Sequence, residues 1–404
     1  MDLRPRRWLD LVLIRTPRGV DPALRLARPW LAAASSLSLP AEMLRGRAAD
    51  GTACSAVVIG GGALAGRLVR SLFANAPACE PLPPVSLLDA PRRLATCLDT
   101  ADLVFATVPR PLAAWVAGPR MLRVPTVVEF MIDASAATDL SGASRSLRRS
   151  ARRLAEVGFT TRLSPGPAEL ESFYYDFYRP MLARRFGGGG SPLSMLTLGR
   201  RLRAGGLIWL EHDGRTIGGA ALEVRGDTLR LLVSVERPTG RPDLERWIQF
   251  AVTRAGMALG RQRGCRTIDL GAAQPVLGDG VFARKRAFGA TVRARASATH
   301  ELLIGWPSGT PAVRAWLGRS PLVVRDGKRL AALTAVDEAT PADPRAAVRL
   351  HRALLPAGIV RLTVLSGAGW QPSTRDEGCP GSDALHLTGP LGAAELVALG
   401  CGRS

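Results

Sequence analysis

The sequence predicts a mixed α/β protein with mostly antiparallel sheets flanked by helices, and three observations carry that reading. Short apolar runs rich in branched residues alternate with amphipathic stretches of helical period. The runs "GLIWLEH", "TIGGAALEV" and "TLRLLVSVE" are joined by Asp-Gly and Gly-Asp, which are hairpin signals, and a long amphipathic helix follows them directly. The chain has 404 residues, 47% hydrophobic and 22% charged, which suits a folded protein long enough for more than one core.

Taken in order, the opening "MDLRPRRWLDLVLIRTPRG" is basic, but Asp10 interrupts its short apolar stretch. It is too short for a secretion signal, and no run elsewhere reaches the ~18 apolar residues of a membrane span, so a soluble, cytoplasmic protein is expected. "SAVVIGGGALAGRLVRSLF" reads as strand, glycine turn and helix, with further strands at "PVSLLDA" and "ADLVFATVP". Gly60-x-Gly62-x-x-Ala65 fits the loose dinucleotide fingerprint, with Asp89 ending the next strand at the spacing of a ribose-binding acid. Two readings stand: a nicotinamide or flavin site on residues 57–66, or a turn that needs glycine for its backbone angles.

A Ser/Gly/Arg-rich stretch then closes an N-terminal α/β lobe over 1–140. Arg145, Arg148, Arg149, Arg152 and Arg153 fall on one helical stripe, with Leu147, Ala151 and Leu154 opposite. Such a stripe is either a solvated face or a place for an anion. Next, "PAELESFYYDFYRPMLARRFG" is a helix that Pro180 breaks or kinks, and "PLSMLTLGRRLRAGG" is a second, closed by glycines. The three hairpin strands, the helix "DLERWIQFAVTRAGMALGRQRG", the strand "TIDLG", a short helix and a strand pair around "TVRARASATHELLIGW" complete a domain over 141–310. A C-terminal α/β extension over 311–404 holds a hairpin with Lys328 in its turn, a helix at "DPRAAVRLHRALL", the strand "IVRLTVLSG" and a final helix, with no motif whose chemistry is legible.

The net charge of +20 favours polyanionic partners: nucleotide diphosphates, tRNA, lipid phosphates or an anionic membrane face. The six cysteines form no CxxC pair and the four histidines are scattered, so no metal site is expected and a reducing compartment fits. Of 54 basic residues, only Lys285 and Lys328 are lysines. In so arginine-rich a chain, Lys285 in "LGDGVFARKRAFGATV" is either a surface lysine on a short helix or a position that needs a compact ammonium able to lose its proton.

The order helix, helix, three antiparallel strands, helix, strand, short helix, strand resembles the GNAT acyltransferase fold. "FYYDFYRPMLARRFG" with "TIDLGAAQPVLGDGVFARKRAFGA" is similar to the FemAB-like branch, whose members carry a D-x-G strand end, then D-G and K-x-x-(F/W)-G. The resemblance covers about 145–305 and implies two GNAT-like lobes, the first of them a diverged lobe within 1–140. It implies transfer of an acyl or aminoacyl group, from acyl-CoA or aminoacyl-tRNA, to an amine or hydroxyl. The family's functional lysine corresponds to Lys285, where an ammonium would stabilise the oxyanion or bind donor phosphate.

The chain departs from the coenzyme-A pattern at the donor loop, Arg237-Pro-Thr-Gly240-Arg-Pro242. Its two prolines lack amide donors, and Asp243 and Glu245 put negative charge in the first helical turn, which repels a diphosphate. Donor-binding candidates are Arg237, Thr239, Gly240, Arg241 and Phe288. Base candidates are Glu236, Asp269 and Asp279, the last read more readily as a turn or N-cap aspartate. All three tyrosines lie on one helix; Phe173 and Phe177 read as core, while Tyr174 and Tyr178 line an acceptor groove or pack at the core edge. Arg184 and Arg185 extend an anion-binding wall, with Arg148, Arg149 and Arg152 as further acceptor contacts.

The expected protein is therefore an acyltransferase acting on a small-molecule or lipid-linked anionic acceptor, such as a cell-envelope or polysaccharide precursor. tRNA and peripheral membrane contact are compatible partners, and DNA is not expected. The competing readings are an NAD(P)- or FAD-dependent oxidoreductase and a non-catalytic basic module that binds RNA or a membrane surface.

Overall fold

A computed structural model describes residues 38–118, 120–134, 145–165, 169–186, 193–202, 205–307, 310–336, 349–350, 353–366 and 383–388. The chain forms β1 (Ser38–Arg47), β2 (Ala53–Ile59), α1 (Ala63–Leu72), β3 (Ala78–Ser86), α2 (Ala90–Thr100), β4 (Leu103–Pro109), α3 (Ala113–Ala117), β5 (Met121–Pro125) and β6 (Val128–Asp133). Then come α4 (Arg145–Val157), β7 (Thr160–Ser164), and α5, built of Leu170–Ser172, a π-helical turn Phe173–Tyr178 and Arg179–Phe186. After them lie α6 (Met195–Leu202), β8 (Gly206–His212), β9 (Arg215–Arg225), β10 (Thr228–Glu236), α7 (Pro242–Gln262) and β11 (Thr267–Ala273). The last elements are α8 (Gly280–Ala287), β12 (Thr291–Ala294), β13 (His300–Gly305), α9 (Pro311–Arg319), β14 (Leu322–Asp326), β15 (Arg329–Ala335), β16 (Arg361–Ser366) and β17 (Asp383–Thr388).

Two compact units result. The first gathers the described residues up to Val128, Ala273–Ala283 and those from Arg293 onward; the second holds Glu129–Ala272 and Arg284–Val292. The linear divisions at 140 and 310 do not coincide with these units.

In the first unit, a six-stranded sheet has the order β3-β1-β2-β4-β13-β5, with β2 and β4 parallel and the remaining pairs antiparallel. A four-stranded sheet, β14-β15-β16-β17, stands beside the same core. Leu64 and Leu68 of α1, Phe105, Trp306 and Trp316 share one buried cluster with Leu322, Val324 and Leu333. Trp316 donates its indole N–H to the Leu68 carbonyl at 3.3 Å and to Ser71 Oγ at 3.0 Å. The C-terminal strands β14 and β15 thus share the core of the N-terminal strands rather than forming a separate one.

Several sequence expectations change here. β12 and β13 are not a strand pair, because β12 joins the sheet of the second unit while β13 lies between β4 and β5 of the first. Asp89 does not end a strand; β3 stops at Ser86, and Asp89 is the N-cap of α2. β3 pairs antiparallel with β1, whereas the parallel neighbour of β2 is β4, so the fingerprint's strand-helix-strand geometry is not built with Asp89. The glycine turn has a structural cause. Gly60 lies at φ +80°, and a Cβ there would meet the Thr107 carbonyl oxygen at 2.5 Å.

Pro180 does not end its helix, which continues to Phe186. The irregularity precedes it: Arg179 N–H bonds to Tyr174 O in the wider π-helical turn, next to the proline that can donate no bond of its own. The expected final helix and most of the helix at 343–355 lie outside the described residues.

The second unit has a seven-stranded sheet, β12-β6-β11-β10-β9-β8-β7. β7 to β10 form an antiparallel meander, and β10 and β11 are parallel. The β8–β9 turn places Asp213 at φ 50° and Gly214 at φ 70°, the left-handed pair that an Asp-Gly hairpin supplies cheaply. Phe173, Phe177, Tyr178, Met181, Leu198 and Leu202 of α5 and α6 pack on Trp209, Ala221 and Val235 of the sheet. Meander, long helix, parallel strand and short helix come in the order expected from the sequence, and the fold class is mixed α/β with mostly antiparallel sheets.

The first unit also buries a carboxylate that apolar periodicity does not announce. Glu301 of β13 accepts from Arg123 Nε at 2.9 Å and Arg325 Nε at 3.0 Å, with Arg110 Nε at 3.8 Å. Burial pushes the Arg325 pKa down, while Glu301 opposes that shift. Glu301→Ala leaves three guanidinium groups without their common partner and is expected to cost about 3–5 kcal/mol in urea unfolding. A cost under about 1 kcal/mol would contradict that account.

Candidate functional site

The second unit's sheet opens at the parallel junction of β10 and β11. β10 and β11 are registered only at Thr228↔Thr267, Leu229↔Ile268 and Arg230↔Asp269, yet β10 continues to Glu236 and β11 to Ala273. Two local features stop the ladder. The β9–β10 register shifts between Leu231 and Val233, making Leu232 a bulge residue. On the other strand, Gly271 lies at φ +79°, and a Cβ there would sit 3.2 Å from the Leu231 carbonyl oxygen and 3.7 Å from Lys285 Nζ.

Asp269, 6% exposed, fixes this break. Its Oδ1 accepts the Gly271 amide at 2.7 Å and its Oδ2 lies 3.0 Å from Arg230 Nε. Arg230 also reaches Glu129 at 3.4 Å. A carboxylate committed in this way serves the backbone and the guanidinium beside it, so geometry makes Asp269 a clamp.

Lys285, in the last turn of α8, donates to the Ala272 carbonyl at 2.8 Å, and its Nζ stands 5.5 Å from the centre of the Phe130 ring. A long, partly buried side chain thus brings its ammonium to the end of β11. Phe288 of the K-x-x-F-G run is buried and stacked on Phe250 at 4.8 Å, which makes it core rather than a donor contact. Its amide bonds to the Lys285 carbonyl at 3.2 Å, and Gly289 at φ +78° ends the helix. Lys328 sits exposed in the β14–β15 turn.

At the end of β10, Glu236 accepts from Arg185, lies 3.6 Å from Arg184, and accepts from Gln249 Nε2 at 3.0 Å. The expected anion-binding arginines and the expected base therefore form one ion-paired group, with the Glu236 side chain 15% exposed. The next residue, Arg237, holds its guanidinium 4.4 Å above the Phe177 ring. Glu245 reaches back into the loop: its Oε1 accepts the Thr239 amide at 2.7 Å, the Gly240 amide at 3.2 Å and Thr239 Oγ1 at 3.3 Å. Arg241 N–H bonds to Thr239 Oγ1 at 3.2 Å. The side chain of Asp243 lies outside the described residues.

The remaining expected residues are placed as follows. Asp279 belongs to the first unit, where its Oδ1 accepts the amides of Val281 at 2.9 Å and Phe282 at 3.1 Å, and Arg67 lies 2.6 Å from its Oδ2. That is an N-cap locked by an ion pair. Tyr178 is buried, and its hydroxyl accepts the Leu193 amide at 3.0 Å; Tyr174 packs against it with ring centres 5.7 Å apart. Burial raises the Tyr178 pKa. On α4, Leu147 and Ala151 are buried while Arg149, Arg152 and Arg153 are exposed and Arg148 is half-buried. Arg153 pairs with Glu156 at 3.1 Å, an acid just beyond the all-arginine stripe. Arg230, Glu129, Gln249 and Arg67 had no motif to mark them; Glu245 was visible but only as a repelling charge.

Among the described residues there is no group of three or more His, Cys, Asp or Glu that could hold a metal ion, and no helix is long and apolar enough to cross a membrane. No protein-family model and no curated protein matches the chain. Among solved structures the chain is similar to L-PGS from Bacillus licheniformis, with 14% identity over 65% of this chain and 83% of that one and a TM-score of 0.35. It is similar to FemX, with 12% identity over 68% and 90% of the two chains and a TM-score of 0.35. It is also similar to a GCN5-related N-acetyltransferase from Sphaerobacter thermophilus, with 15% identity over 65% and 80% and a TM-score of 0.32. At such scores none of these likenesses places a residue or a substrate in this chain.

Asp279→Asn tests the capping role, because asparagine caps a helix about as well as aspartate. A melting temperature close to the parent's is expected, with a small loss from the Arg67 pair. A loss of more than about 2 kcal/mol in unfolding free energy would mean that the charge, not the cap, carries the role of Asp279.

Proposed function

We propose that this chain is an acyltransferase. It moves an acyl or aminoacyl group from acyl-CoA or aminoacyl-tRNA to an amine or hydroxyl of an anionic acceptor, such as a cell-envelope or polysaccharide precursor. The observation that carries the reading is the break between β10 and β11 with the Lys285 ammonium beside its Gly271 edge. A sheet that stops pairing while both strands continue offers an extended donor chain backbone groups to bond with.

In this reading the acceptor's nucleophile attacks the donor carbonyl, a new C–N or C–O bond forms, and the bond to the donor's sulfur or oxygen breaks. Negative charge gathers on the carbonyl oxygen in between. Lys285 supplies a fixed positive charge for it, in surroundings where such a charge acts more strongly than in water. Arg184 and Arg185, which pair with Glu236 in the free chain, turn to the acceptor's anionic group, and the Glu236 carboxylate they release takes the proton from the nucleophile. Asp269 acts as a positioning residue through Gly271. A surface-lysine reading of Lys285 is disfavoured by its bond to Ala272 and its place over Phe130.

The test uses the two lysines of the chain as experiment and control. Lys285→Arg is expected to fail almost as badly as Lys285→Ala, because guanidinium is broader and would misplace its charge. The loss at the transition state should be about 2–4 kcal/mol, roughly a 30- to 1,000-fold fall in rate, with folding little changed. Lys328→Arg should be silent. A fully active Lys285→Arg protein would remove Lys285 from the mechanism.

A further inference from the structure

The loop between β10 and α7 can be accounted for amide by amide. Arg237 N–H bonds to the Ile217 carbonyl at 2.9 Å. Pro238 and Pro242 have no N–H. Thr239 and Gly240 both donate to Glu245 Oε1, and Arg241 donates to Thr239 Oγ1. From 237 to 242, every backbone donor is therefore either absent or taken. Gly240 is at φ +72°, with open space where a Cβ would be, so its glycine answers to a backbone angle that places its amide on the same oxygen as that of Thr239.

We propose that Glu245 is a resident anion that closes this loop to a donor's diphosphate, and so determines which donors the transfer site accepts. The inference rests on the acyltransferase reading above. A phosphate at the start of α7 would need the very amides that Glu245 occupies and would meet a carboxylate, which accepts hydrogen bonds but cannot donate them. An ordinary capping glutamate sits at the third helical position and bonds the amide of the N-cap. Glu245 is the fourth residue of α7, and it reaches beyond the N-cap, Arg241, to the two residues before it. The loop is also anchored against opening, by the Arg237 amide on β9 and by its guanidinium on Phe177. The two prolines and the carboxylate thus act in the same sense.

The experiment is calorimetric titration of the full chain with inorganic pyrophosphate and with coenzyme A, comparing the parent, Glu245→Ala and Glu245→Gln. The parent is expected to bind both only weakly, with the Thr239 and Gly240 amide resonances unmoved by coenzyme A. Glu245→Ala frees two amides and should bind pyrophosphate at least about tenfold more tightly than the parent. Glu245→Gln keeps an oxygen for both amides, which preserves the loop, and removes the charge; a gain of about threefold is expected. If the alanine variant does not fold, the glutamine variant decides alone. Saturable coenzyme-A binding by the parent that shifts the Thr239 and Gly240 amide resonances overturns the proposal, as does pyrophosphate binding by the folded variants no tighter than the parent's. A separate assay of the parent with acyl-CoA and aminoacyl-tRNA distinguishes the two readings: absence of transfer from every donor defeats the acyltransferase assignment, while the titrations still decide the role of Glu245.

Discussion

Asp269 holds the amide of Gly271 with one oxygen and the guanidinium of Arg230 with the other, at 2.7 Å and 3.0 Å. Both groups belong to the last registered step of the β10–β11 ladder or lie just beyond it. Had β11 continued as a regular strand, the edges of Leu232–Glu236 and Gly271–Ala273 would face each other as one more stretch of sheet. The clamp favours a left-handed backbone at Gly271 instead, a conformation that disfavours any residue with a Cβ. What the break leaves open is backbone, and what stands at its edge is the chain's one partly buried lysine with a described bond into the sheet.

The charges divide by type around this feature. Arginines do the pairing. Arg184 and Arg185 share Glu236, Arg230 links Glu129 with Asp269, and Arg110, Arg123 and Arg325 surround Glu301. A planar fork suits carboxylates and keeps its charge when partly buried. Lys285 instead brings one compact charge to the Ala272 carbonyl, 5.5 Å from the centre of the Phe130 ring.

The meander, the long helix and the short helix before Phe288 were legible because hairpin turns and helical period are local signals. So was the helical stripe of α4. The partition of the chain was not legible, since β13 takes its partners β4 and β5 from residues nearly two hundred positions earlier, and nothing in "THELLIGW" encodes the sheet it enters. Lys285 was marked by spacing and composition and Asp269 by its D-x-G strand end, but the bonds they make, to the Ala272 carbonyl and to Gly271 and Arg230, were not legible. Arg230, Gln249 and Arg67 carry no motif, because an arginine or glutamine becomes a positioning group only when folding brings a carboxylate to it. Glu245 was seen as a charge at a helix start; that it folds back onto two amides depends on the φ of Gly240, which the sequence permits without stating.

The central claim, that the ammonium at the β10–β11 break meets the donor, has a direct spectroscopic test because the chain contains only two lysines. Protein labelled with ¹³C and ¹⁵N at lysine alone gives two side-chain Cε–Nζ signals, one from Lys285 and one from the exposed Lys328. Titration with a non-reactive amide analogue of whichever donor supports transfer should move the Lys285 signal saturably and leave that of Lys328 in place. If neither signal moves while the analogue binds, or if both move together, the donor does not meet Lys285 and the account is contradicted.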